Sequence, residues 1–160
     1  MFGNELKYNE NGIKKFLIII FGEIVIGRRL NYSYLKKEFN KRITNGDVIL
    51  DAGCGYGQYS YYLSKKYLNS NIFGVDYNDN LINYNKNIQK KVSIENITFI
   101  QGDLTKYVKK NYFNHVISLD VTHYCGKNDQ DICNNFYTCL QSGVLDLTVR
   151  LGTDISLWSY

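Results

Sequence analysis

Proline is absent from the 160-residue chain. Beside abundant Asn, Lys, Tyr and Ile this reads as coding bias, and by itself it excludes no function. Four cysteines are present, Cys54, Cys125, Cys133 and Cys139, but they form no C-x-x-C pair and have no histidine at zinc-finger spacing. That excludes a zinc finger and a dithiol redox motif, so no metal is expected. Reduced thiols in a cytoplasmic setting are the default, and no small-residue cleavage site of a secretory leader follows the first apolar run. Charge imbalance is slight, with 19 basic and 15 acidic residues giving +4. The Lys-Lys pairs at 14–15, 36–37, 65–66, 90–91 and 109–110 are dispersed. They read as solvated faces and helix C-termini, where cations suit the dipole, and they disfavour a nucleic-acid surface. A long apolar run is also missing. Phe16–Ile26 has about half the residues of a spanning helix and is interrupted by Glu23, which favours a buried helix over a membrane-surface contact and predicts no membrane span.

What is present is an alternation. After an N-terminal segment of about 45 residues, apolar runs at Val48–Asp51, Asn71–Asp76, Ile97–Gln101, His115–Asp120 and Val144–Val149 are expected strands. Amphipathic stretches at Gly57–Leu68, Asn80–Lys91, Thr105–Lys110 and Asp129–Leu140 are expected helices, with Asn78 and Asp129 as cap-region residues. The alternation predicts an α/β fold, a Rossmann-like three-layer sandwich with a mostly parallel sheet. Residues 1–45 are expected to form an N-terminal helical cap, and 46–160 a ligand-binding domain. His115 opens an apolar strand and reads as structural.

Ligands of such sheets bind at the carboxyl ends of the strands. Asp51, Asp76 and Asp120 end the first, second and fourth expected strands, and Asp103 follows the third. A row of acids on one sheet edge is costly unless donors or cations meet it, which points to a ligand. Directly after the first strand come Gly53, Gly55 and Gly57 at alternate positions. A dinucleotide fingerprint has G-x-G-x-x-G and an acid about 20 residues on. Asp76 supplies that acid, 19 residues beyond Gly57, but Gln58 stands where the third fingerprint glycine would be. Asp51 separates the ligands: a carboxylate at the loop mouth repels a diphosphate and attracts a cation. That disfavours a nicotinamide oxidoreductase. S-adenosylmethionine carries an ammonium and a sulfonium and no phosphate, and the glycine amides can reach its carboxylate.

The series LDAGCGYG, GVDYN, QGDL and ISLDVTHY resembles the ordered motifs of class I S-adenosylmethionine-dependent methyltransferases over roughly residues 46–149. The resemblance implies that Asp51, Gly53, Gly55 and Gly57 face the methionine moiety and that Asp76 holds the ribose hydroxyls. It further implies that Tyr77 packs on the adenine, Asp103 accepts from its amino group, and the Leu104 backbone reads the ring edge. Asp120 to His123 would line the gap between donor and acceptor, with His123 the candidate base; a substrate-shaping role and a loop role without chemistry stay open for it. Relatives that methylate exocyclic base amines resemble one another in [DNS]-P-P-[YFW] after the fourth strand. Asp120-Val-Thr-His-Tyr124 lacks those prolines, which favours a small-molecule acceptor. The resemblance thins after the fifth strand, where the usual Pro-Gly-Gly is reduced to Ser142-Gly143 and eleven residues remain. The expectation is a chain short at its C-terminus, with a fifth-strand edge open to self-association. A non-catalytic or truncated cofactor-binding protein therefore stands beside the enzyme as the alternative.

Overall fold

A computed structural model describes residues 26–119, 121, 129–141 and 148–149. The chain divides into two compact units, Met1–Ile43 and Thr44–Tyr160. In the first, helix α1 (Ile26–Arg42) ends on Lys41 and Arg42, both within 4 Å of Glu38 one turn back. Such a pairing suits the C-terminal end of a helix.

Among the described residues the second unit is built on a five-stranded, wholly parallel sheet in the order β3-β2-β1-β4-β5. Its strands are β1 (Val48–Ala52), β2 (Asn71–Asp76), β3 (Ile97–Gln101), β4 (His115–Leu119) and β5 (Thr148–Val149). Helices α2 (Gln58–Lys66), α3 (Asp79–Val92) and α4 (Asp129–Cys139) connect them. This is the expected α/β, Rossmann-like arrangement. The central strand β1 shows why alternation is weak in its sequence: Ile49, Leu50, Asp51 and Ala52 are all buried, as a parallel strand covered on both faces requires. Leu50, Ala52, Val75 and Val116 share one core cluster with Ile132 and Phe136 of α4. On the opposite face Phe99 lies over Gly74 and meets Tyr61 of α2. The order of strands reverses at β1, between β2 and β4, and this places the topological switch beside the glycine loop.

Local chemistry sets the element ends. Gly57, at φ +72°, cannot begin the helix, so α2 starts at Gln58. The Asn78 side chain accepts from the Asn80 amide and caps α3, as expected. Lys65–Lys66 and Lys90–Lys91 lie in the last turns of α2 and α3, whereas Lys36 and Lys37 fall inside α1. The expected helix over Thr105–Lys110 is not formed. Asp103 Oδ1 accepts from both the amide (2.9 Å) and hydroxyl (2.7 Å) of Thr105, and a single turn follows. The Lys109 amide then donates to Cys139 Sγ instead of to a carbonyl four residues back. Of the expected strand Val144–Val149, Thr148 and Val149 pair with Ser118 and Leu119; residues 144–147 lie outside the described residues.

His115 begins β4 at the end of the sheet away from the glycine loop. Its Nε2 lies 3.0 Å from Asp47 Oδ2, which also accepts from the Thr44 amide and hydroxyl. The arrangement ties the start of β4 to the turn before β1.

Candidate functional site

β1 delivers its chain into a loop of three left-handed glycines: Gly53 at φ +78°, Gly55 at +51° and Gly57 at +72°. The Gly53 and Cys54 amides both donate to the Val75 carbonyl at the end of β2, at 2.7 and 3.0 Å, and the Gly57 amide closes a turn on the Cys54 carbonyl at 2.8 Å. The glycines differ in what surrounds them. A Cβ on Gly53 would stand 2.2 Å from Val121 Cγ2, while one on Gly55 would meet nothing within 4 Å. Gly53 is therefore required by a close neighbour, and Gly55 borders open space.

Asp76, the last residue of β2, reaches across to this loop. Its Oδ2 accepts from the Gly55 amide at 2.8 Å and its Oδ1 from the Asn78 amide at 2.9 Å. A carboxylate takes about four hydrogen bonds, so capacity remains on both oxygens for hydroxyl donors. Beside it Tyr77 is 75% exposed, its ring presented at the same strand end.

Asp51 sits deeper than a residue at the mouth of the loop. It is 3% exposed, and its Oδ2 accepts from the Ser60 hydroxyl (2.6 Å) and amide (3.0 Å). Burial raises its pKa to about 6, assisted by the nearby charge of Asp76 and opposed by the two Ser60 bonds. Among the described residues neither Asp51 nor Asp76 forms an ion pair, so a cation arriving beside them would meet two acids without a protein counter-charge. Cys54 feels both of these acids. Burial, then the charges of Asp51 and Asp76, pushes its thiol far up, which makes it packing material against Gly74 and not a nucleophile.

The third acid, Asp103, is half exposed after β3. The Thr105 hydroxyl and amide, followed by the Lys106 cation, hold its carboxyl below the usual carboxylate range. It thus caps its own turn and remains ionised, with Oδ2 3.8 Å from Lys106 Nζ. Leu104 buries its side chain in the core, and its carbonyl accepts from Asn135 of α4. Asp120 and His123, the residues expected between donor and acceptor, lie outside the described residues.

The structure thus gathers Asp51, the three glycines, Asp76 and Tyr77 around one loop, with Asp103 and Leu104 at the end of the strand next to β2. Ser60 and Asn85 were not expected at the site, and Val121, within the expected Asp120–His123 lining, packs on the loop itself. Ser60, in the first turn of α2, holds Asp51; Val121 fills the space over Gly53; Asn85 of α3 donates from Nδ2 to the Gly55 carbonyl at 2.8 Å. Asn85 had a visible signal, an amide three residues after Ile82 on the apolar stripe of an amphipathic helix. Among the described residues no group of acids, histidines and cysteines could hold a metal ion, and no helix is long and apolar enough to cross a membrane.

The geometry can be tested against S-adenosylmethionine. Open space over Gly55, a carboxylate with spare acceptor capacity at the end of β2, and an exposed aromatic ring beside it fit a nucleoside. The two acids without a counter-charge fit an ammonium and a sulfonium. Comparison with known proteins agrees. A family model described as a methyltransferase domain matches residues 43–147. The chain is 32% identical over 107 residues to malonyl-[acyl-carrier protein] O-methyltransferase 2 of Ilyobacter polytropus, covering 66% of this chain and 40% of that protein. It is 26% identical over 83 residues to a probable (S)-tetrahydroprotoberberine N-methyltransferase 2 of Papaver bracteatum, covering 52% of this chain and 23% of that one. The matches thus span less than half the length of these relatives. In three dimensions the chain is similar to coclaurine N-methyltransferase bound to N-methylheliamine and SAH, with a TM-score of 0.64 at 19% identity, covering 71% of this chain and 34% of that one. Glycine loop, strand-end acids, sheet order and the matched family model together establish that the chain belongs to the class I methyltransferase domain family, whose cofactor is S-adenosylmethionine.

Proposed function

We propose that this chain is a methyltransferase that moves the methyl group of S-adenosylmethionine to a small-molecule acceptor by in-line displacement. The observation that carries the reading is Asp76, which spans from the end of β2 to the Gly55 amide and keeps acceptor capacity for two ribose hydroxyls. Around it the proposed roles follow the fold. Tyr77 packs on the adenine, Asp103 accepts from its exocyclic amine, and the Leu104 amide, which forms no hydrogen bond among the described residues, reads the ring edge. Gly53, Gly55 and Gly57 let the backbone approach the aminoacyl end.

Asp51 acts there from beneath the loop. Burial leaves this carboxylate easier to protonate than a surface one, so an approaching ammonium favours its ionised form, and Ser60 holds the oxygen that must not rotate away. The bound cofactor supplies an activated methyl carbon, so the protein's task is alignment and exclusion of water, which can contribute about 7–11 kcal/mol at its limit. A base is needed only if the acceptor must lose a proton. Asp120 and His123 remain the proposed lining of the acceptor gap, with His123 the proton acceptor where one is required. We keep residues 1–45 as a helical cap distinct from the methyltransferase domain, 46–160, and a cytoplasmic setting with reduced thiols.

The relatives named above are an N- and an O-methyltransferase, so the acceptor atom is left open while a small or carrier-bound molecule is favoured. The test is transfer of labelled methyl from S-adenosylmethionine to fractions of a small-molecule extract. Labelled product supports the enzyme. Tight binding of S-adenosylhomocysteine with no product in any fraction would support a cofactor-binding protein without turnover.

A further inference from the structure

Asn85 is an unusual residue for its place. Helix α3 turns Ile82 and Asn85 to the interior, and Asn85 is completely buried. An amide carried into an apolar interior is costly unless both its ends are hydrogen-bonded. Only one end is. Nδ2 donates to the Gly55 carbonyl, while Oδ1 has no partner and lies against the Gly57 Cα, 3.0 Å from where a Cβ would stand. An alanine would avoid that orphaned oxygen, so the arrangement is not explained by packing.

The bond it does make falls at a critical point. Gly55 is the glycine with open space around it, at φ +51°, and hence the residue of the loop with least steric guidance. Its amide is held by Asp76 Oδ2 and its carbonyl by Asn85 Nδ2, both at 2.8 Å. The two peptide planes that meet at its Cα are therefore both anchored, which fixes the Gly55 dihedrals. Asn85 is in turn steadied from α2, where the Tyr61 hydroxyl donates to its backbone carbonyl at 2.7 Å. A cofactor whose ribose binds Asp76 shares the residue that makes the first anchor and leaves the second untouched.

We infer that Asn85 is a positioning residue that presets the glycine loop for the cofactor, through the Gly55 carbonyl. This rests on the S-adenosylmethionine reading of the site. Holding a loop in its bound shape raises affinity by removing the ordering cost at the moment of binding. Asn85→Ala should weaken S-adenosylhomocysteine binding about tenfold, the effect of one well-made hydrogen bond. Gln89→Ala removes two amide hydrogen bonds from the far end of the same helix, those to the Ile94 and Ile97 carbonyls, and serves as the packing control.

The experiment is calorimetric titration of the full chain with S-adenosylhomocysteine, together with amide hydrogen exchange of the free protein. The expected result is a tenfold loss in Asn85→Ala, a loss under twofold in Gln89→Ala, and Gly55 and Gly57 amides that exchange faster in Asn85→Ala while β1 amides do not. Equal losses in the two variants, or an unchanged affinity in a folded Asn85→Ala, would overturn the inference. Should Asn85→Ala fail to fold, Asn85→Asp decides: this side chain of equal size lacks the Nδ2 donor, so a tenfold loss of affinity supports the clamp and wild-type affinity overturns it. If the wild type does not bind S-adenosylhomocysteine, the cofactor reading fails, and the difference in Gly55 and Gly57 exchange between the wild type and the Asn85 variant still reports on the clamp alone.

Discussion

Substituting Asp51 by Asn sets stability against binding and gives each a sign. In the folded chain burial lifts the Asp51 pKa from 3.8 to about 6. Between those values the folded protein keeps a proton that the unfolded chain has lost, so the wild type loses stability as pH rises through the window. An Asn at the same place does not titrate, and any fixed cost of its amide is the same at every pH. The stability difference should therefore move in favour of Asp51→Asn by about 2 kcal/mol between pH 4.5 and pH 7.5. For a chain of this size that is about 4–8 °C in relative Tm. Thermal unfolding of both proteins across that range reads it directly, and S-adenosylhomocysteine titration at pH 7.5 should show the variant binding about tenfold more weakly or worse, since a charge-assisted contact to the ammonium is lost. A Tm difference that stays constant with pH would refute the burial argument for Asp51.

Other consequences follow from the loop. Gly53→Ala places a methyl group inside the van der Waals radius of Val121 at a left-handed φ, so it should cost about 1–3 kcal/mol and show as a lowered urea midpoint. Cys54, buried with its thiol pKa raised, should resist a disulfide reagent in the native protein and react only after unfolding; mass mapping of the labelled cysteine checks this. If the outer side of β5 is an unpaired edge, the chain should self-associate through it, and sedimentation that finds a monomer at all concentrations would reject that proposal.

The sheet was legible because its signals are local. Asn71–Asp76 and Ile97–Gln101 are bounded by turn residues and rich in β-branched or aromatic side chains, and both strands occur where the pattern put them. Gly57 marked the start of α2 to within one residue, since a left-handed position excludes a helix. The stretch after Asp103 misled the reading. Its composition suits a helix, but Thr105 gives the Asp103 carboxylate two local donors, and Cys139, some thirty residues away, takes the Lys109 amide. A contact that distant leaves no trace in a window of ten residues. The same holds within the site. Glycine spacing and strand-end acids picked out candidate residues that the fold brings to one end of the sheet, whereas Ser60 and Asn85, which hold them, depend on which helix face meets the loop.

The central claim is that the glycine loop and the strand-end acid Asp76 hold S-adenosylmethionine. Calorimetric titration of the wild type and Asp76→Ala with S-adenosylhomocysteine, and of the wild type with NAD, tests it most directly. Asp76 offers the ribose two charge-assisted hydrogen bonds, each about 1.5–3 kcal/mol before water competes, so the substitution should weaken binding at least tenfold. Its place at a strand end means the fold should survive the change. The account predicts binding of S-adenosylhomocysteine by the wild type, at least tenfold weaker binding by Asp76→Ala, and no heat with NAD. Saturable binding of NAD, or an Asp76→Ala protein that binds S-adenosylhomocysteine as tightly as the wild type, would contradict it.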